Sequence, residues 1–294
     1  MTIEYRDTAM NWVAPGDPAV ELVQGGFQFL EGPVWDRRRG VLVFSDIPAD
    51  TLYQYRPGEA VSVFREQSRF ANGNTIDQQG RLLTCEHAGR RVTRQEADGS
   101  LTPLATHFDG RRLNSPNDVI VRGDGAIFFT DPPYGLQPPH GVLAEKELPF
   151  NGVYRLDPDG RLALLVDDFE RPNGLAFNPE ERLLYVDDTA QGHIRLFTVT
   201  DDGRLTEDRV FAVLRGEGRG RPDGLKVDRE GHVYCTGPGG VWVFDPLGGL
   251  LGRILMPEQT ANLAWGDEDW RTLYLTASTS LYRIRLGIAG IPVG

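Results

Sequence analysis

Six stretches of this chain follow one grammar, and that recurrence most constrains its fold. Each starts at a polar residue, runs through apolar residues to an Asp- or Gly-rich turn, and returns as a second apolar run. They read EGPVWDRRRGVLVFSD, NGNTIDQQGRLLTCE, NDVIVRGDGAIFFTD, NGLAFNPEERLLYVDD, DGLKVDREGHVYCTG and NLAWGDEDWRTLYLTA. Their first residues are Glu31, Asn72, Asn117, Asn173, Asp223 and Asn262, at intervals of 41, 45, 56, 50 and 39. Between them lie further short β-branched or aromatic runs such as TLYQYRP and AVSVFRE, punctuated by Gly, Pro, Asn and Asp. Helical periodicity is hard to find. A period of roughly 40–50 residues with about four strands per unit reads as an all-β, six-bladed β-propeller with four antiparallel strands per blade. The sixth blade lacks an outer strand, and AVELVQGG near the N-terminus is expected to supply it and close the ring. The expected organisation is an N-terminal extension over 1–18 and a single propeller domain over 19–294.

In a propeller the first strand of each blade lines the central channel, so the six opening residues form a ring at one mouth. All six carry a carboxylate or amide oxygen. Antiparallel pairing returns the second strand to the same mouth, bringing Asp46, Glu86, Asp131, Asp187 and Asp188 near it. Clustered acids repel and are costly to desolvate, so the mouth calls for a counter-charge. Oxygen donors without His or Cys point to a hard divalent cation. Calcium is the first expectation, with magnesium, manganese or zinc as alternatives. The five histidines show no ligand spacing with one another, which argues against a dedicated His/Cys zinc site. The competing reading is structural, because Asn-Gly and Asp-Gly are common turn formers.

The balance of charge narrows the partners. With 42 acids against 31 bases the net charge is −11, which argues against nucleic acid and anionic membranes. No apolar stretch reaches the roughly 18 residues of a membrane helix. The N-terminus shows no basic segment followed by an apolar run, and two distant cysteines make no disulfide framework. The expectation is a reduced cytoplasmic protein, monomeric or homodimeric, with Cys85 and Cys235 as packing residues. There is no Gly-x-Ser-x-Gly elbow, phosphate loop or dinucleotide fingerprint.

The motifs EGPVWD, NSPNDVIV, FTDPPYG, RPNGLAF and RPDGLKVD, in that order, resemble the gluconolactonase / senescence marker protein / luciferin-regenerating enzyme family. The resemblance runs from about residue 28 to 286, and TCEHAGRRVTR is similar to its bacterial gluconolactonase-like branch. It implies a divalent metal at the channel mouth and hydrolysis of lactones, with organophosphates as substrates of some members. Carried over residue by residue, Glu31, Asn173 and Asp223 are the implied metal ligands, and Asn117 faces both metal and substrate. One position departs. The animal branch has an Arg two residues before Asn117 that helps recognise a sugar lactone, and here that residue is Ser115.

These parts define a mechanism. A lactone is an ester, so its hydrolysis needs a polarised carbonyl and an activated water, and a bound divalent ion serves both needs. Asp223 is the expected base for that water. Glu31 neutralises the ion, while Asn173 completes the cage without adding charge. His87 and Arg91 are expected to bind substrate hydroxyls and Tyr134 to shape the pocket, under a Pro-rich lid from Pro132 to Pro149. Asp131, Asp46 and Asp188 are candidates for support of the ligand shell or for a second metal. Asn72 and Asn262 are expected as ring spacers making blade-to-blade hydrogen bonds. Two rival functions stay open: phosphotriester or other ester hydrolysis at the same site, and a non-catalytic calcium-binding platform. Overall the sequence points to a small-molecule lactone as partner.

Overall fold

The structure is a computed structural model that describes residues 2–294. Among the described residues six antiparallel sheets, five of four strands and one of five, are the blades of a six-bladed β-propeller, and a two-stranded sheet pairs His107–Phe108 with Arg111–Arg112. The only α-helix among the described residues is the short Met10–Val13. No described helix is long and apolar enough to cross a membrane.

The chain forms two compact units. One, Glu31–Asn173 with Val293–Gly294, holds blades one to three. Their first two strands are Leu30–Asp36 and Val41–Asp46, Ala71–Ile76 and Leu82–Glu86, and Val119–Val121 and Ile127–Asp131. The other, Met1–Leu30 with Gly174–Pro292, holds blades four to six. These open with Pro172–Phe177 and Leu183–Asp188, Leu225–Val227 and Val233–Gly237, and Thr260–Gly266 and Thr272–Ala277.

The closing strand is where the sequence placed it. Glu21–Gly25 pairs antiparallel with Ser280–Arg285, the last strand of blade six, with Glu21 opposite Arg283. The residues before it also join a blade. Ile3–Tyr5 adds a fifth strand to blade five, with Ile3 opposite Ile254. Met10 and Val13 of the short helix are buried, so the first residues are part of the packed structure.

Why these segments are strands is visible in their burial. First and second strands are mostly buried, and Ala71–Ile76 of blade two wholly so, while an outer strand such as Ser62–Glu66 is largely exposed. Cys85, Val92, Phe129 and Tyr154 form one core cluster and Tyr185, Leu225, Cys235 and Trp242 another. Each such large side chain contributes about 1.5–3 kcal/mol when removed from water. Two buried tyrosines donate to turn acids, Tyr234 to Asp228 (2.9 Å) and Tyr274 to Asp267 (2.8 Å).

Neighbouring first strands approach more closely than any side chain allows. The glycine after the opening residue makes this contact. Gly73 N–H donates to the Asn117 carbonyl (2.8 Å), Gly174 N–H to that of Asp223 (2.7 Å) and Gly224 N–H to that of Ala261 (2.7 Å). A methyl at Gly174 would meet Asp223 O, and would lie 2.6 Å from Leu225 N and 2.7 Å from Asp187 Oδ2. Hydroxyls on second strands brace the same seams: Ser45 donates to Asn72 O (2.6 Å), Thr130 to Asn173 O (2.8 Å) and Thr236 to Ala261 O (3.3 Å). The Asn-Gly and Asp-Gly pairs therefore do more than turn the chain.

Candidate functional site

The opening residues are held by backbone on both sides. Glu31, Asn72, Asn173 and Asn262 lie inside first strands, whereas Asn117 and Asp223 come just before shortened ones. Irregular hydrogen bonds replace the ladder there. Asn117 N–H donates to Thr130 O (2.8 Å), and Thr236 N–H to Gly224 O (3.0 Å). Five of the six opening residues are buried, and Asp223 is half-buried. Glu31 Oε2 accepts the N–H of Gly32 (2.7 Å), and Asn262 Oδ1 that of Leu263 (2.8 Å).

Acids gather where the second strands end. In the unit Glu31–Asn173, the buried Cys85 thiol is pushed well up, chiefly by burial and then by Asp118, Asp131 and Glu86. In the other unit the Cys235 thiol is pushed well up by burial, with Asp187 next. Both cysteines are free and buried, so they act as packed hydrophobes in a negative field and not as nucleophiles. The Asp131 carboxyl is pushed up to about 7, because burial outweighs the N–H donors of Asn114 and Ser115. Its Oδ2 accepts from Asn114 N–H (2.7 Å), while Oδ1 is buried with no hydrogen-bond partner. Asp188 Oδ1 accepts the N–H groups of Ala190 (3.0 Å) and Gln191 (3.2 Å), the arrangement of a turn former. Asp46 is buried at the end of its strand, opposite Thr51.

The other candidates, His87, Arg91 and Tyr134, each contact neighbouring residues. His87 is buried and both ring nitrogens are taken. Nδ1 lies 2.9 Å from the His140 carbonyl, which can only accept, so Nδ1 carries the proton and Nε2 accepts from Asn72 Nδ2 at 3.1 Å. Burial pushes its pKa down to about 4, so the imidazole is neutral at pH 7. His87 thus bridges Asn72 and His140 of the Pro132–Pro149 segment. Asn72 Oδ1, turned away from the ring, is buried without a hydrogen-bond partner. Arg91 donates to Glu86 Oε2 (2.7 Å), and Thr93 donates to Glu86 Oε1 (2.9 Å).

Ser115 is fully buried. Its hydroxyl donates to Pro132 O (2.5 Å) and accepts the Gly135 N–H (2.9 Å), pinning the start of the Pro-rich segment. A methyl at Gly135 would lie 2.7 Å from His87 Cγ and 2.8 Å from Ser115 Cβ, so this corner is closely packed. The same segment is tied at its far end by Arg90 Nη1 to Glu147 (3.1 Å). Tyr134, half-buried, opens the 3-10 turn Tyr134–Leu136. The Arg171 guanidinium lies over its ring, 5.1 Å from the centroid.

That Arg was missed. The repeat of Ser-Pro-Asn, Arg-Pro-Asn and Arg-Pro-Asp at residues 115–117, 171–173 and 221–223 carried the signal, since it marks the place two residues before each opening position. Among the described residues, no three of His, Cys, Asp and Glu gather into a metal-holding group.

Comparison with known proteins places this arrangement. Residues 29–279 match the family described as SMP-30/Gluconolactonase/LRE-like region. The chain is 33% identical over 291 residues to a gluconolactonase of Zymomonas mobilis, covering 90% of this chain and 81% of that protein. It is 28% identical to a pentonolactonase of Haloferax volcanii over 84% of this chain and 81% of the relative. A solved gluconolactonase from Xanthomonas campestris superposes with a TM-score of 0.91 at 39% identity, over 97% of this chain and 95% of that one. The chain belongs to the SMP-30/gluconolactonase/LRE-like family.

Proposed function

We propose that this protein is a lactonase that opens a sugar lactone with the help of one divalent cation. The observation that carries the reading is the set of opening residues, buried oxygen donors at Glu31, Asn117 and Asn173 with the half-buried acid Asp223 as their counterpart. Relatives named as gluconolactonase and pentonolactonase support a sugar lactone as substrate.

The donor set fits a hard cation. It holds two carboxylates and two amides and no nitrogen or sulfur donor. The unpartnered buried oxygens Asn72 Oδ1 and Asp131 Oδ1 also fit a site short of electropositive groups. Glu31, Asn117, Asn173 and Asp223 would hold the ion, and calcium is the first choice on the hardness of the donors. When bound, such an ion supplies the charge that polarises an ester carbonyl and acidifies water. Glu31 and Asp223 together offset a double charge, and the amides of Asn117 and Asn173 add none. Asp223 accepts the proton of the attacking water as its oxygen bonds to the carbonyl carbon, and returns a proton to the ring oxygen as the ring's acyl carbon–oxygen bond breaks. Asn117 orients the lactone. Asp131, Asp46 and Asp188 support the ends of the second strands.

The test is hydrolysis of a panel of aldonolactones by chelator-treated protein, repeated with calcium, magnesium, manganese and zinc. Restoration of turnover by at least one ion is expected. Full activity in excess chelator would refute the cation, and no turnover of any lactone with any ion would refute the reaction.

A further inference from the structure

We propose that Arg171, stacked on Tyr134, is the specificity-determining residue that reads the hydroxyl groups of the lactone; this rests on the reading of the opening residues as a lactone site.

Position comes first. Arg171 stands two residues before Asn173, at the bend that leads into the strand Pro172–Phe177. Asn173 is buried and Arg171 is half-buried, so the chain reaches the opening position from its more exposed side.

Its surroundings fix it there. Tyr134 lies under the guanidinium face at 5.1 Å, and a guanidinium held by its face keeps its N–H donors at the edge, in the plane. The backbone before it is tied to the same corner. Asn151 Nδ2 donates to Glu170 O (2.6 Å), and Asn114 Nδ2 reaches Asp131 O (2.9 Å) and Phe150 O (2.9 Å). Ser115 anchors the turn that presents Tyr134. The two equivalent positions are not used this way. Ser115 is buried and committed to Pro132 and Gly135, and Arg221 is exposed.

The chemistry follows. The opening residues are rich in acceptors, and the hydroxyls of a sugar lactone also need donors. A planar fork offers several at once to vicinal oxygens. The ring-opened product is an aldonate anion, and a cation beside an acid-rich site eases its formation. A lactone without hydroxyls gives this fork nothing to hold.

The experiment compares D-glucono-δ-lactone with unsubstituted δ-valerolactone on wild type, Arg171→Gln, Arg171→Lys and Tyr134→Leu. The ratio of their kcat/KM values is expected to fall about ten- to a hundredfold in Arg171→Gln, mostly through KM, the size of a lost charged hydrogen bond. Arg171→Lys keeps the charge without the fork and recovers part of the ratio. Tyr134→Leu removes the platform and lowers it too, which keeps the test decisive if Arg171→Gln fails to fold. An unchanged ratio in the folded variants, or an equal loss on both lactones, overturns the role of Arg171 while leaving the lactonase reading intact. A wild type that opens neither lactone overturns both.

Discussion

Replacing Gly174 with Ala tests whether the close approach of first strands shapes both the fold and the site. The added methyl would lie 2.6 Å from Leu225 N and 2.7 Å from Asp187 Oδ2, and would also meet the Asp223 carbonyl. Ordinary contact is about 3.5 Å, so the backbone must separate by about an ångström. Overpacking of that kind costs about 1–3 kcal/mol. The Gly174 N–H to Asp223 O bond, 2.7 Å in the wild type, lengthens and adds about 1 kcal/mol. The sum is about 2–4 kcal/mol, and a chain of this size loses a few degrees per kcal/mol, so Tm should fall by roughly 5–15 °C. Gly160→Ala is the control: it has a φ of +89° and nothing within 4 Å of the added methyl, so only the left-handed backbone penalty applies. That is about 1–2 kcal/mol. Calorimetry gives Tm, and lactone hydrolysis at 25 °C reports on Asp223, where an ångström of displacement costs about a hundredfold in rate. A Tm within about 1 °C of wild type, or equal damage from Gly160→Ala in both assays, would refute the reasoning.

Further outcomes are expected. Asp223→Asn keeps the shape and loses the base, so kcat should fall by about a hundredfold or more with little change in Tm; a rate within twofold of wild type would exclude Asp223 as the base. Glu31→Gln should lower divalent-cation affinity at least about tenfold by calorimetric titration, since it removes half the charge offset; wild-type affinity would remove Glu31 from the ligand set. Ser115→Ala deletes two buried hydrogen bonds and should cost about 1–3 kcal/mol, with protease cutting of the Pro132–Pro149 segment as a second readout. Stability against pH separates His87 from Asp131. Burial lowers His87 from 6.5 to about 4, so its contribution is complete above 6.5 and is lost as pH falls to about 4. Burial raises Asp131 from 3.8 to about 7, so its contribution is complete below 3.8 and is lost as pH rises to about 7. Between them the slopes oppose, each about 1.4 kcal/mol per pH unit. Urea midpoints at several pH values should rise with pH in Asp131→Asn relative to His87→Gln, and identical slopes in the two variants would refute the assignment.

The blades were readable because each is built from strands adjacent in sequence, with turn residues and alternation supplying the register. Even the closing strand Glu21–Gly25 was recoverable, since a missing fourth strand leaves an edge that needs a partner. Ile3–Tyr5 was not recoverable, because blade five already has four strands and nothing in a three-residue stretch declares a fifth. The opening residues stood out as polar residues in a repeating frame, although their spacing could not reveal that the following glycines exist for contact with the next strand. The contacts of Arg91 with Glu86 and of His87 with His140 leave no mark in the sequence, because they depend on side-chain orientation and a distant loop. Arg171 meets Tyr134 across 37 residues, and such a pair leaves no mark in local pattern.

The two N-terminal strands also set a schedule. The unit Glu31–Asn173 is nearly continuous in sequence, whereas the unit that contains them is split around it. Ile3–Tyr5 needs Leu250–Leu255, and Glu21–Gly25 needs Ser280–Arg285. At the usual pace of about 5–20 residues per second, synthesis would leave both strands waiting for tens of seconds or less while the intervening blades take shape. During that wait the early segment carries unpaired backbone and apolar residues such as Ile3 and Met10 that later become buried. Assembly of blades five and six thus doubles as a check that synthesis has passed residue 285, and a chain halted before residue 250 would have no seat for Ile3–Tyr5.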